Sequence, residues 1–254
     1  MILVLAGTRD GRELAAGLAR QGWPVSAAVV SEYGRKLAAG DGLTVHTGSR
    51  DTAGLVALFR AEGVRAVIDA SHPYAAAVSG NAQEACAALG LPYLRYERPP
   101  APLPAYDKLH LTADAAEAAR LAAGLGKVVF LATGSRTLAV FKNEPLLAGH
   151  RLIARVLPEP EVLTVCRRLG FAPGDIVALQ GPFSHQLNVA LFREFAAEVV
   201  VTKNSGNIGG ADSKFSAAQE LELPLVVIDR PAAEYSRVAA DFAAVAKFVR
   251  EVMQ

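Results

Sequence analysis

The chain has 254 residues, of which 52% are hydrophobic, with 26 Lys plus Arg against 25 Asp plus Glu. That length suits one large α/β domain or two small ones, each able to bury a core. The balanced charge gives no face-wide field for nucleic acid or acidic lipid, and no apolar stretch is long enough to span a bilayer. A cytoplasmic protein with no nucleic-acid or membrane partner is therefore expected, of an oligomeric state the sequence leaves open.

Ile2, Leu3, Val4 and Leu5 form an uninterrupted apolar run, the pattern of a strand buried on both faces. Gly7, Thr8, Arg9 and Asp10 then turn the chain into an amphipathic helix whose apolar residues Leu14, Leu18 and Trp23 recur at helical spacing. Such a turn leaves backbone N–H groups at the positive end of the helix dipole, able to hold a phosphate or carboxylate. It departs from the dinucleotide fingerprint, because Gly7 and Gly11 are four apart and no third glycine follows at the usual place. A tight, capped turn without a ligand accounts for it equally well. Residues 25–30 form a second strand ending in Ser31, Glu32, Tyr33 and Gly34. In a dinucleotide fold this strand end meets the adenosine ribose. There Glu32 suits NADH, Arg35 and Lys36 suit NADPH, and a solvated turn requires none of them. Residues 43–46 make a third strand, and residues 52–62 a helix capped by Asp51.

Residues 66–69 are a strand that runs into Ala70, Ser71, His72, Pro73 and Tyr74, ahead of a small-residue helix containing Ser79 and Asn81. Pro73 confines His72 to extended geometry and stops the strand. The His72 side chain is then expected at the carboxyl edge of the sheet, where open α/β sheets bind ligands. A structural hydrogen-bonding role stands beside a catalytic one for this residue. Four prolines fall within residues 99–104, which reads as an extended link between two lobes. The expected division is a Rossmann-like cofactor-binding domain at 1–103 and a second α/β domain at 104–254. A link of this kind also allows the lobes to exchange elements.

The second half repeats the cycle. A helix over residues 113–125 precedes a strand at 128–132, which ends in Thr133, Gly134, Ser135 and Arg136. This turn suits phosphate or carboxylate, or equally a capped helix with an exposed cation. Further strands are expected at 152–157, containing Arg155, and at 176–179. The latter closes on Gly181, Pro182, Phe183 and Ser184. There Gly181 permits close approach of a ligand and Phe183 offers a flat face to a ring, although turn chemistry accounts for the Gly-Pro pair as well. A strand at 198–202 feeds the loop 203–214, with three glycines, Lys203 and Lys214 at its ends, and Ile208 as its one large apolar side chain. The loop is longer than a simple connection needs, so a ligand-binding role is expected. A helix over 213–221, a strand over 225–228 and a last helix ending near Val252 complete the chain. Cys86 and Cys166 lack partners at metal-ligand spacing, which reads as buried thiols rather than a disulfide or metal site.

The architecture is thus α/β, two Rossmann-like lobes with mainly parallel sheets and a cleft between them. Gly7-Thr8, Asp69 to Tyr74, Leu94 to Pro99, Thr133 to Leu138, Arg155 to Pro158, Gly181 to Ser184 and Thr202 to Gly206 follow one another over nearly the whole chain. As a set they resemble the precorrin-6A reductases of cobalamin biosynthesis. Ser31 to Arg35 followed by Val45 to Gly48 is similar to the cobalt-precorrin-6A branch. Ala6 stands where that family commonly has a first glycine, and Asp10 supplies its acid two places after Thr8.

The resemblance implies hydride transfer from NADPH or NADH to a carbon of a tetrapyrrole macrocycle and a proton to its neighbour, with no metal, flavin or covalent nucleophile. It places the cofactor on Gly7, Thr8, Arg9, Asp10, Ser31, Tyr33, Ser71 and His72, with the turn of Thr133, Gly134, Ser135 and Arg136 as a second wall. It implies that Arg136, Lys203, Lys214 and the N–H groups of Ser205 and Gly206 meet substrate carboxylates. Gly181, Phe183 and Ser184 join them as candidate substrate contacts. Lys203 and His72 are the candidate proton donors, with bound water as a third source. Two other readings stay open: a nicotinamide-dependent reductase with another substrate, and a nucleotide- or tetrapyrrole-binding protein without chemistry.

Overall fold

The computed structural model describes residues 1–40, 42–206 and 210–254. Loop residues 207–209, including Ile208, lie outside the described residues. The described chain forms two compact units, residues 1–99 with 232–254 and residues 100–231.

The first unit alternates strand and helix: β1 (Ile2–Leu5), α1 (Arg9–Arg20), β2 (Val25–Val29), α2 (Glu32–Ala38), β3 (Thr44–Thr47), α3 (Thr52–Ala61), β4 (Ala66–Asp69), α4 (Ala76–Leu89) and β5 (Tyr93–Tyr96). All four β1 residues are buried. Their side chains alternate between two cores, Ile2 and Val4 on one face and Leu3 and Leu5 on the other. The first core is closed by Leu14, Ala15 and Leu18 of α1, the second by Leu55 and Phe59 of α3 and Ala82, Ala85 and Cys86 of α4. This two-sided burial is why the strand reads as a continuous apolar run.

The second unit carries β6 (Leu109–Thr112), α5 (Ala115–Ala123), β7 (Val128–Ala132), α6 (Leu138–Asn143), β8 (Arg151–Val156), α7 (Pro160–Arg168), β9 (Ile176–Ala178), α8 (His185–Glu194), β10 (Val199–Lys203), α9 (Ala211–Glu220) and β11 (Leu225–Ile228). One face of its sheet packs Phe130, Ile153, Val200 and Val227 against Val189 and Phe192 of α8 and Phe215 and Ala218 of α9. The chain then returns to the first unit with β12 (Val238–Ala239) and α10 (Phe242–Met253).

That return differs from the division at residue 103. Val245, Phe248 and Val249 of α10 complete the core that contains Ile68 and Leu94, and β12 pairs with β5. An amphipathic helix settles where an apolar face is left uncovered, and here that face belongs to the first sheet.

Among the described residues every strand pairing is parallel, and the orders are β12-β5-β4-β1-β2-β3 and β6-β11-β10-β7-β8-β9. Each sheet starts a new direction once, between β1 and β4 in the first and between β7 and β10 in the second. Crevices open outside the carboxyl ends of strands at such switch points. Among the described residues no helix is long and apolar enough to cross a membrane.

Two glycines of α1 differ in what surrounds them. A Cβ on Gly11 would stand 2.9 Å from the Ala70 carbonyl oxygen and 3.2 Å from the Ala6 Cα, both backbone, whereas one on Gly17 would meet nothing closer than the Arg20 guanidinium at 4.0 Å. Gly11→Ala is expected to lower the unfolding free energy by about 1–3 kcal/mol through overpacking. Gly17→Ala should raise it by up to about 1 kcal/mol through helix propensity. Urea titration of the two variants measures both, and equal effects of one sign would contradict the close-approach role of Gly11.

Candidate functional site

At the first switch point, Thr8 joins the two strand ends. It is the N-cap of α1: its Oγ1 accepts from the Gly11 N–H at 3.0 Å and donates to the Ala70 carbonyl at 3.1 Å. A capped helix start leaves the first-turn N–H groups of Arg9 and Asp10 without intrahelical acceptors. Asp10 is 3% exposed and paired with Arg98, so its charge does not oppose an anion at the helix start. Its other oxygen, Oδ1, is buried with no partner among the described residues. Thr8, Asp10, Ser71, Pro73 and Arg98 line one recess here.

The turn after β4 is held by a buried ion pair. Asp69 and Arg95 are both fully buried, with Oδ1 and Nη1 3.0 Å apart. Asp69 also accepts from the Ser71 N–H at 2.9 Å, Ser79 Oγ at 2.5 Å and Tyr93 Oη at 2.8 Å. Arg95 donates to Ser71 Oγ at 3.0 Å and, from Nε, to Glu97 at 3.0 Å. Burial alone would raise the Asp69 carboxyl, but Arg95 and the Ser71 and Ser79 donors outweigh it and hold it below the usual carboxylate range. Burial, then Asp69, push the Tyr93 phenol up and the Cys86 thiol up to about 12. His72 follows this network directly. Its Nδ1 accepts from the Tyr74 N–H at 3.3 Å, which assigns a neutral ring its proton on Nε2.

Ser31 caps α2 through the Gly34 N–H and is exposed, with Tyr33 half-buried beside it. Glu32 is ion-paired with Arg35 at 2.6 Å, and that contact chiefly lowers its carboxyl pKa.

In the second unit, Gly134 follows β7 at φ 78°, ψ 178°, a conformation that favours glycine. Thr133 is buried and accepts from Thr137 Oγ1 at 2.9 Å, Ser135 begins a single 3-10 turn, and Arg136 is exposed. Lys203 ends β10; burial first, then Arg136, lower its pKa. The N–H groups of Ser205 and Gly206 do not face outward as expected. They donate to the Lys203 carbonyl at 3.0 Å and to Asn204 Oδ1 at 3.4 Å. Asn204 in turn bonds both backbone groups of Ala101 at 2.9 Å, pinning the proline-rich segment to the strand end. Phe183 and Ser184 precede α8, Ser184 as its N-cap, and Gly181 lies against the Phe183 ring. Lys214 is buried in the first half of α9.

The structure therefore brings Thr8, Asp10, Ser71 and His72 to one switch point, and the turn of Thr133 to Arg136 and Lys203 to the other. It adds three residues that spacing did not single out as site residues: Arg95, Arg98 and Arg155. The signal for Arg95 and Arg155 is a charge inside an otherwise apolar strand, in YLRY and RLIARV. Among the described residues no group of three His, Cys, Asp or Glu side chains is placed to hold a metal.

Removing one member of a buried ion pair strands the other. Arg95→Met and Asp69→Asn should each lower the unfolding free energy by about 3–5 kcal/mol, read in urea. Because the folded Asp69 carboxyl lies below its ordinary value of 3.8, its stabilisation is full above that pH and is lost as pH falls through the folded value. Asp69→Asn should thus flatten the acid limb of the stability curve; limbs parallel to the wild type would contradict the assignment.

The family described as "Precorrin-6x reductase CbiJ/CobK" matches residues 1–250. The cobalt-precorrin-6A reductase of Priestia megaterium is 39% identical over 243 residues, 95% of this chain and 95% of its own. The precorrin-6A reductase of Rhodobacter capsulatus is 36% identical over 232 residues, 91% of this chain and 88% of its own. A solved structure titled "CobK precorrin-6A reductase" superposes with a TM-score of 0.80 at 34% identity, covering 98% of this chain and 96% of that one. With the family match spanning both sheets and both switch points, the chain belongs to the precorrin-6x reductase CbiJ/CobK family.

Proposed function

We propose that the first unit binds a nicotinamide cofactor at the β1/β4 switch point and that the second binds the tetrapyrrole. The enzyme is an NAD(P)H-dependent reductase of cobalamin biosynthesis that acts on precorrin-6A, in its metal-free or cobalt-bearing form. The observation that carries the cofactor site is Thr8, which caps α1 and ties it to the end of β4. The fit rests on two features. The Gly11 position leaves no room for a Cβ beside Ala70, so helix and strand ends stay close, and Asp10 Oδ1 is a buried acceptor with no partner among the described residues.

When bound, the nicotinamide supplies the hydride that reduces one macrocycle double bond. The protein's contribution is positioning and proton supply. Arg9 and Asp10 N–H groups meet a cofactor phosphate, and Gly7, Ser71 and His72 shape the crevice, the last with Nε2–H as a donor. In the second unit, Thr133, Gly134 and Ser135 form the turn at the end of β7, at that unit's own switch point. Around Ser31 and Tyr33 the cations Arg35 and Lys36 outnumber Glu32, which is already engaged by Arg35. That balance favours the 2′-phosphate of NADPH. Arg136 and Lys203 meet substrate carboxylates beside Gly181, Phe183 and Ser184. Lys203, with its lowered pKa, is the proton donor at Nζ, ahead of His72.

With cofactor deuterated at the transferred position, one deuterium should appear in the reduced macrocycle; cofactor left unoxidised beside intact substrate would overturn the reading. Lys203→Ala should lower kcat by about 100-fold while His72→Ala chiefly raises the cofactor KM, and the reverse pattern would exchange their roles. Arg35→Ala should raise the KM for NADPH without changing that for NADH; equal effects would remove the 2′-phosphate contact.

A further inference from the structure

The second unit buries positive charge that its described residues leave unneutralised. Arg155 of β8 and Lys214 of α9 are each 7% exposed. Arg155 donates to the neutral Asn188 Oδ1 at 2.7 Å and lies over the rings of Phe183 at 4.6 Å and Phe130 at 5.6 Å. Among the described residues neither cation forms an ion pair with a carboxylate, and Lys214 has no hydrogen-bond partner. Burial pushes Arg155 down to about 10. Burial, then the charges of Arg155 and Lys203, push Lys214 down to about 7, with exposed Asp212 offsetting part of this.

Strand register groups Arg155 with a third polar group, Thr202, on the sheet face that packs under α9, the helix of Lys214. Thr202 of β10 pairs with Ala132 of β7, and Leu131 with Ala154, so the next step places Arg155 level with Ala132. Ala132, Phe130, Ile153 and Val200 belong to the core under α8 and α9. By strand alternation Thr202 shares the face of Val200 and Arg155 that of Ile153. Thr202 and Arg155 therefore flank a small alanine beneath the helix that carries Lys214. Thr202 is fully buried, and its Oγ1 has no partner among the described residues. Ser213 fixes the start of α9 to this assembly, donating to the Phe183 carbonyl at 2.9 Å and accepting from Asn188 at 3.3 Å. Buried charges and hydroxyls are costly without partners, and a rigid set of cations and a donor is complementary to one oxyanion.

We propose that Arg155, Lys214 and Thr202 form a buried subsite of the second unit that takes a single oxyanion group, a carboxylate of the macrocycle. The assignment to the macrocycle rests on the functional reading above; a phosphate of the nicotinamide cofactor has the same chemistry, and the test separates them.

The variants are Lys214→Met, which keeps the bulk of the side chain, and Thr202→Val, which keeps its shape. Thermal unfolding is measured in chloride, inorganic phosphate and acetate at matched ionic strength, and KM for tetrapyrrole and for cofactor. The subsite predicts that phosphate and acetate raise the wild-type Tm over chloride and that Lys214→Met abolishes this rise. Lys214→Met itself should unfold at a higher temperature than the wild type in chloride, because it removes an uncompensated buried charge. Its tetrapyrrole KM should rise by about 10- to 100-fold, with the cofactor KM unchanged; a rise confined to the cofactor KM assigns the same subsite to a phosphate. A lowered Tm in Lys214→Met with both KM values and the anion response unchanged overturns the proposal. Failure of the wild type to reduce the tetrapyrrole would sink the functional reading, and the anion-dependent Tm would still decide the subsite.

Discussion

A carboxylate buried at the carboxyl end of β4 has to be answered inside the protein, and the partner is Arg95, one strand away. Asp69 and Arg95 are both wholly enclosed, where an unpaired charge is costly enough to unfold a domain of ordinary stability. Their pairing fixes the direction of the Ser71 hydroxyl and N–H, and thereby the path of the turn that carries His72. Thr8 couples the same turn to α1 through the Ala70 carbonyl. Two strand ends and a helix start are thus held in one arrangement by the protein's own side chains, the kind of fixed positioning on which transfer between two bound reactants depends.

The two units use one topological solution twice. Both have a central strand from which the chain winds first one way and then the other, and both gather polar residues where the direction changes. The polar content differs in kind. The first unit balances its buried charges, Asp69 with Arg95 and Asp10 with Arg98. The second leaves Arg155 and Lys214 without a carboxylate among the described residues. The capped helix start is the place proposed for the cofactor, and the buried cations are proposed to take a carboxylate of the substrate.

Much of the fold is legible in the sequence because its strands are buried on both faces. The run from Ile2 to Leu5 reads directly as a central parallel strand, and Thr8 and Asp51 read as caps because their side chains accept from the N–H three residues on. Residues 232–254 are not legible in the same way. Nothing local in α10 says whether Val245, Phe248 and Val249 cover the nearer sheet or the farther one; that follows from which core is left open. Within the site, the turn residues at strand ends announce themselves through glycine, proline and small polar side chains. Arg155 shows only as a charge inside an apolar strand, because its neighbours on the same sheet face, Ala132 and Thr202, come from strands distant in the chain. Ser205 and Gly206 look available by composition, yet their N–H groups are taken by the loop itself.

The measurement that bears most directly on this account is an anaerobic fluorescence titration of the protein with NADPH and, separately, NADH, before and after addition of the tetrapyrrole. Saturable binding of nicotinamide by the protein alone is expected, tighter for NADPH, with oxidation of the bound cofactor only once the macrocycle is present. Absence of binding by either cofactor, with and without the macrocycle, would mean that the capped start of α1 is a turn and nothing more.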